Sequence, residues 1–271
     1  MHTVLTRITA TIGVEIAGLD LRHPLGPSDV SMIERAVADH HVVVIRDQML
    51  AVDQHVAVAE SFGPIQTSPV HRLTGITRKV STIEDTAERA PAGFGWHTDL
   101  SWVRATPSLG FLNAVTIPDY GGDTLWASTA AIYDDLSEDE RMRCDHLTAM
   151  HAPDRTLLAS IERHHGSGIA ARLRREHPPI EHQLVRRHPQ TDRRSLFLSP
   201  LSMPGIVGPA GADGDLLERV NRRLDDPHVQ MRWRWRAGDF VIWDETSSCH
   251  RALIDHHPQR RVMRRCVTGA R

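Results

Sequence analysis

Gln230-Met231-Arg232-Trp233-Arg234-Trp235, Asp239-Phe240-Val241-Ile242-Trp243 and Arg260-Arg261-Val262-Met263-Arg264-Arg265-Cys266-Val267-Thr268 are three strand-like runs near the C-terminus, separated by turns. Their β-branched and aromatic side chains suit a pleated surface. Upstream, short strands are expected around Thr6 to Ile16. His41-Val42-Val43-Val44-Ile45 reads as a buried strand, and Thr124-Leu125-Trp126, Gln183-Leu184-Val185-Arg186 and Ser195-Leu196-Phe197-Leu198 continue the pattern. Helical patterns interrupt these strands at irregular intervals. One is capped by Ser28 with Val30, Ile33 and Val37 on one face, a second runs from near Asp53 to the breaker pair Gly63-Pro64, a third covers about 138–149 behind the capping box Ser137-Glu138-Asp139-Glu140, and a fourth runs from Asp215 to Leu224. Without regular βαβ alternation a Rossmann sheet is disfavoured. The predicted fold is mainly β with α insertions, an antiparallel barrel or jelly roll. Residues 64–94 and 150–182 show little strand periodicity and are expected as lid-like segments, and 205–214 as a Gly/Pro-rich loop.

At 271 residues and 40% apolar composition, the chain can bury one large core, so a single domain spanning 1–271 is expected. No run is long and apolar enough for a membrane span, and the first residues lack a signal-peptide pattern, which predicts a cytoplasmic protein. Cys144, Cys249 and Cys266 are too irregularly spaced for a disulfide framework or zinc knuckle. A formal net charge of −2 argues against nucleic acid or anionic membranes as partners. Lys79 is the only lysine, so each arginine is weighed singly. Most of the 18 histidines, including the pair His256-His257, are expected at the surface or in turns.

Two histidines stand out from the rest. In Gly95-Trp96-His97-Thr98-Asp99-Leu100-Ser101-Trp102, a His and a carboxylate two residues apart on an extended segment project to one face. With His250, in Ser247-Ser248-Cys249-His250-Arg251, they would form two His and one carboxylate on one face of a metal, the arrangement of non-haem Fe(II) oxygenases. Downstream, Arg261, Met263 and Arg265 alternate onto one strand face, with Val262, Arg264 and Cys266 on the other. Arginines turned into a barrel require anionic partners, which a guanidinium fork binds bidentately; on an outer face they would simply be solvated. Thr124, just after the turn Gly121-Gly122-Asp123, could add a hydroxyl to the same anion.

Trp96-His97-Thr98-Asp99, Gly121-Gly122-Asp123-Thr124-Leu125-Trp126, Trp243-Asp244-Glu245 with His250, and Pro258-Gln259-Arg260-Arg261-Val262-Met263-Arg264-Arg265 together resemble the family of taurine and dichlorophenoxyacetate dioxygenases. Val42 to Gln48 resembles the N-terminal strand of that family. The resemblance implies a double-stranded β-helix in which His97, Asp99 and His250 bind Fe(II). It implies that Thr124 and Arg261 bind the distal carboxylate of 2-oxoglutarate, and that Arg265 holds an anionic substrate. The activity it implies is hydroxylation by O2 with release of succinate and CO2, acting on a small sulfonate, sulfate ester or carboxylate, with C–S or C–O cleavage where the hydroxylated carbon carries a leaving group. Dimers or tetramers are common in the family.

The chain departs from the taurine pattern where an amine would be recognised. Ser68 and His71 stand in Thr67-Ser68-Pro69-Val70-His71 where the taurine enzymes carry a His and a Tyr, and Gly93 stands in place of an Asn. Fewer polar groups favour an anion with a larger or less polar body over taurine. His71 is a candidate substrate contact, and Trp102 either lines the pocket or packs in the core. His151 lies in the second lid-like segment, and Cys249 should pack away from the metal. Two alternatives stay open: a non-catalytic jelly-roll metal-binding sensor or scaffold, and a zinc hydrolase using the same triad. Neither gives Arg261 and Thr124 a use.

Overall fold

A computed structural model describes residues 3–91, 95–208 and 211–269. The N-terminal third comprises β1 (Val4–Arg7), β2 (Val14–Ala17), α1 (Pro27–His40), β3 (Val42–Ile45), α2 (Val52–Glu60), α3 (Pro69–Thr74) and β4 (Ser81–Asp85). Next come β5 (Leu109–Thr116), β6 (Thr124–Ser128), α4 (Thr129–Asp134), α5 (Glu138–Cys144), β7 (Thr148–His151), α6 (Arg155–His165), α7 (Ser167–Glu176) and β8 (Ile180–Gln183). The remainder holds β9 (Val185–Arg187), β10 (Arg194–Leu196), β11 (Gly205–Gly208), β12 (Gly211–Ala212), α8 (Gly214–Arg223), β13 (Gln230–Trp233), β14 (Phe240–Asp244), β15 (Ser248–Ala252) and β16 (Arg261–Thr268).

The architecture is sheet-dominated with several helices. A seven-stranded sheet runs in the order β1-β2-β3-β14-β5-β16-β4, and a three-stranded sheet in the order β13-β6-β15. In the larger sheet only β2 and β3 pair in parallel. Val42, Val44, Leu112, Val241, Trp243 and Met263 from the large sheet meet Trp126, Met231 and Trp233 from the small one in a single buried cluster, so the two sheets pack face to face. The all-apolar run of β3 is explained by its place: its other face packs under α1 and α2.

The elements differ from the sequence expectations mainly where local chemistry competed. The first helix is capped at Gly26 rather than Ser28: Pro27 suits the first helical turn, and the Asp29 carboxylate accepts the Gly26 N–H at 3.2 Å. The capping box is present at Ser137 and Glu140, but the helix ends at Cys144 and 148–151 is strand instead. Residues 64–94 are not structureless, because they carry α3 and the sheet-edge strand β4 paired to β16. Likewise 150–182 contains the paired helices α6 and α7, and the Gly/Pro-rich 205–208 is a strand on β7. The segment around Gly95 is not a strand: His97 makes one isolated bridge to His250, and the chain turns at once, with Leu100 at φ 48°. Among the described residues no helix is long and apolar enough to cross a membrane.

Candidate active site

β15 presents His250, and the bridge brings His97 beside it. His97 N–H donates to His250 O at 3.0 Å and His250 N–H to His97 O at 2.9 Å, which sets the two rings side by side with centroids 4.1 Å apart. Thr98 locks the following peptide, its hydroxyl donating to Leu198 O at 2.8 Å. The turn that follows then aims Asp99 back at the histidines. Asp99 Oδ1 lies 3.8 Å from Nε2 of both His97 and His250, within the span of two metal–ligand bonds of about 2.0–2.2 Å. A pairing of His97 Nδ1 with Gly95 O at 3.0 Å fixes the tautomer that leaves Nε2 as a ligand lone pair. Among the described residues these three side chains form the only group of His, Cys, Asp and Glu close enough to hold one metal ion.

Electrostatics suit that use. Burial keeps His97 and His250 below the ordinary histidine range, in the neutral form a metal requires. Burial alone would raise the Asp99 carboxyl, but the Arg265 guanidinium, with His250 and His97, outweighs it and holds Asp99 down at about 2. Arg265 Nη1 stands 2.9 Å from Asp99 Oδ1.

One group in this region was missed from sequence. Glu245, on the turn between β14 and β15, is buried and spends both oxygens on the site: Oε2 accepts the Asp99 N–H at 3.0 Å and Oε1 the Trp243 indole N–H at 2.8 Å. Burial, then the charge of Asp99, pushes the Glu245 carboxyl well above its usual value. In the sequence it stands in the run Trp243-Asp244-Glu245, which helped carry the resemblance without giving Glu245 a role.

His97 and His250 open onto a cavity of about 290 Å³. Alternation builds its wall: Ser81, Ile83 and Asp85 of β4, Thr124 and Trp126 of β6, and Arg261, Met263 and Arg265 of β16 all point into it. The two β16 arginines therefore face inward, as the first of the two sequence readings requires. Arg261 is buried and its Nε has no hydrogen-bond partner. Burial lowers its pKa, opposed by Asp85 and Asp123. Thr124 Oγ1 accepts the Trp235 indole N–H at 3.0 Å, so its own proton is free to donate into the cavity. A guanidinium and a hydroxyl donor, both short of acceptors, fit a carboxylate. Gly122 makes room for this pair: at φ 70° it adopts a left-handed backbone, and a Cβ there would lie 3.0 Å from Arg261 Cδ.

A family model described as "Taurine catabolism dioxygenase TauD, TfdA family" matches residues 5–267. The chain belongs to this family. Among similar proteins, an alkylsulfatase of Acinetobacter baylyi is 32% identical over 96% of this chain and 83% of its own length. An alpha-ketoglutarate-dependent sulfate ester dioxygenase of Pseudomonas putida is 33% identical over 95% of this chain and 86% of its own. The crystal structure of a taurine dioxygenase from Burkholderia xenovorans superposes with a TM-score of 0.79 at 30% identity, covering 99% of this chain and 91% of that one. That family is the one the residues quoted from the sequence resemble.

Other expected site residues separate into two groups. Ser68 and His71 border a small hollow with Arg78, Ser81 and Arg265, beside the main cavity, and His71 Nε2 is 3.4 Å from Ser81 Oγ. Trp102 is not among the residues that line either space. It is buried with Val103, Leu158, Ile161, Ala170 and Leu173, with its ring 5.1 Å from that of His177, because α6 and α7 offer it an apolar seat. His151 is buried against Phe197 and His182, also outside the cavity. Cys249 packs in the core, where burial raises its thiol to about 12. Gly93 lies outside the described residues. His256, expected at the surface or in a turn, does lie in the turn after β15, but it is buried there and lines the cavity next to Arg261.

Proposed function

We propose that this protein is an Fe(II)- and 2-oxoglutarate-dependent dioxygenase that hydroxylates a small organic anion. The observation that carries this reading is that His97 and His250, grouped with Asp99, line one cavity with Arg261 and Thr124, with Arg265 on the same strand face as Arg261. The two histidines and Asp99 would hold Fe(II). Arg261 and Thr124 would hold the distal carboxylate of 2-oxoglutarate, directing its oxo-acid end toward the metal. When bound, the iron supplies O2 activation coupled to 2-oxoglutarate decarboxylation, giving succinate and CO2. The chain's own task is positional: Arg265 fixes the charged end of the substrate, and Ile83, Leu112 and Met263 exclude water around its apolar part. The strand pattern supports a double-stranded β-helix as the scaffold, in a cytoplasmic homodimer or homotetramer.

Sulfate esters head the substrate panel, ahead of sulfonates and carboxylates, because relatives sharing about a third of their residues carry sulfate-ester names. Hydroxylation of the carbon bearing the sulfate oxygen leaves a product that collapses to an aldehyde and free sulfate. A metal-binding scaffold or a zinc hydrolase would leave the Arg261–Thr124 pair without purpose. Anaerobic addition of Fe(II) and 2-oxoglutarate should give a visible charge-transfer band that His97→Ala abolishes; once O2 is admitted, succinate release by that variant should be at least about a hundredfold below the wild type. Absence of both the band and succinate release in the wild type defeats the proposal.

A further inference from the structure

The carboxylate end of the cavity holds a group that opposes its purpose. Asp85 lies directly across from Arg261 in the β4–β16 ladder and lines the same cavity, so its charge offsets the guanidinium. Beside it sits His256, buried, with Nε2 3.3 Å from Asp85 Oδ2 and neither ring nitrogen in a well-formed hydrogen bond. A Cβ on Gly122 would stand 3.1 Å from Arg261 Nε and 3.2 Å from His256 Nδ1, so both nitrogens border the same point. The other charges nearby are committed elsewhere. Asp123 pairs with Arg232 at 2.6 Å, and exposed Asp255 accepts the Gly122 N–H at 2.9 Å. With His256 neutral, Arg261 and Asp85 cancel and the site has little net attraction for an anion.

We propose that His256 is a further cosubstrate-binding residue that takes up one solvent proton as the distal carboxylate of the 2-oxo acid binds. The resulting imidazolium donates from Nε2 to Asp85 and from Nδ1 to the incoming carboxylate, alongside Arg261 and Thr124. Asp85 then neutralises the imidazolium, and Arg261 is left to face the ligand. In the free protein burial, then Arg261, keeps His256 below the ordinary histidine range, while Asp85 and Asp255 pull it upward. Binding an anion next to it raises its pKa. Cosubstrate affinity is therefore full below the free-protein pKa, and falls by up to about tenfold per pH unit as pH rises from there to the pKa in the complex.

This inference rests on the dioxygenase reading, and calorimetry separates the two. The Mn(II)-loaded protein is titrated with 2-oxoglutarate between pH 6 and 8.5, in buffers of different ionisation enthalpy. Expected are a net uptake approaching about one proton per cosubstrate, and weaker binding at higher pH. A 2-oxo acid without the distal carboxylate reports the proton exchange at the metal end alone, which is subtracted, and the uptake that remains is assigned to the distal carboxylate. His256→Gln should bind 2-oxoglutarate with the weak affinity of the wild type at high pH and a flat profile, and Asp85→Asn should lose most of the uptake near neutral pH. Tight binding without proton uptake, or uptake that persists in His256→Gln, overturns the role of His256 alone. Failure of 2-oxoglutarate to bind at any pH removes the dioxygenase reading and this inference with it.

Discussion

Arg261 and Arg265 share one face of one strand, yet the two ends of the cavity they serve are built differently. Around Arg261 the contacts come from strands and a tight glycine turn: Thr124 is held by Trp235, and the Gly121-Gly122 turn packs against Arg261 and the 255–256 turn. Around Arg265, which also reaches Asp99 at 2.9 Å, the hollow is bordered by α3 and the segments on either side of it, with His71 reaching Ser81 only at 3.4 Å. In the proposed function the first end would handle what every turnover shares, where fixed geometry serves every reaction. Substrate choice would then fall to connecting segments, whose side chains can change without disturbing a sheet.

The largest expected effect beyond the metal ligands tests where this division runs. Trp102 belongs to the helical layer of α6 and α7, so Trp102→Ala should cost about 3–5 kcal/mol of stability in denaturant titration. Folded Trp102→Ala protein should keep its KM for anionic substrates. A raised KM at unchanged stability would place Trp102 in the pocket and move the boundary between scaffold and substrate end.

Arg261→Met should weaken 2-oxoglutarate binding about 10- to 100-fold, the worth of a charge-assisted hydrogen-bond pair, with the metal affinity retained. Arg265→Met should instead spare 2-oxoglutarate and raise the KM of the organic anion. If each variant affects both ligands equally, the two ends are one site and the contrast between them fails.

The sheet-borne end was legible in the sequence because strand alternation is strict. Once Arg261 points inward, Met263 and Arg265 must follow, and β6 places Thr124 and Trp126 by the same rule. His97 and Asp99 were read correctly as neighbours for a partly wrong reason, since a bridge and a turn, rather than a strand, bring them together. Glu245 stood in the run Trp243-Asp244-Glu245 without a role of its own, and His256 escaped because nothing in its local sequence sets it apart from ordinary turn residues. Their burial is decided by segments far away in the chain, Asp99 for one and Asp85 with Gly122 for the other. In the same way β4 was hidden in a polar stretch, since its partner β16 supplies the pairing that its own composition does not announce.

Buried histidines outside both ends of the cavity give the fold as a whole an acid weakness. Burial keeps His41 neutral down to about 4, and His55 and His151 down to about 3. Their unfolded values stand near 6.5, so between these limits the unfolded chain binds more protons than the folded one. Stability is then complete above about pH 6.5 and is lost as pH falls, by up to about 1.4 kcal/mol per pH unit for each histidine. Urea titrations at pH 7.5, 6 and 5 should show that slope, and His151→Phe, stacked on Phe197, should flatten it by one histidine's share. An unchanged slope would mean that His151 is not neutral in the folded protein.

The smallest effect is expected at His71, and it bears most directly on substrate choice. The ring is half-buried on a six-residue helix, and its 3.4 Å approach to Ser81 Oγ is long for a hydrogen bond. A group held so loosely contributes the energy of one neutral hydrogen bond at most, so His71→Ala should raise the substrate KM by less than about tenfold. The 2-oxoglutarate affinity should stay as it was. What the substitution should alter is rank: shortening this side chain enlarges the hollow beside Arg265, so substrates with longer apolar bodies gain relative to short ones. A panel of sulfate esters of increasing chain length, scored by substrate-stimulated succinate release, measures that shift. An unchanged ranking would leave selection to Arg265 and the walls of the main cavity, and the substrate end would then be as much a product of the sheet as the cosubstrate end.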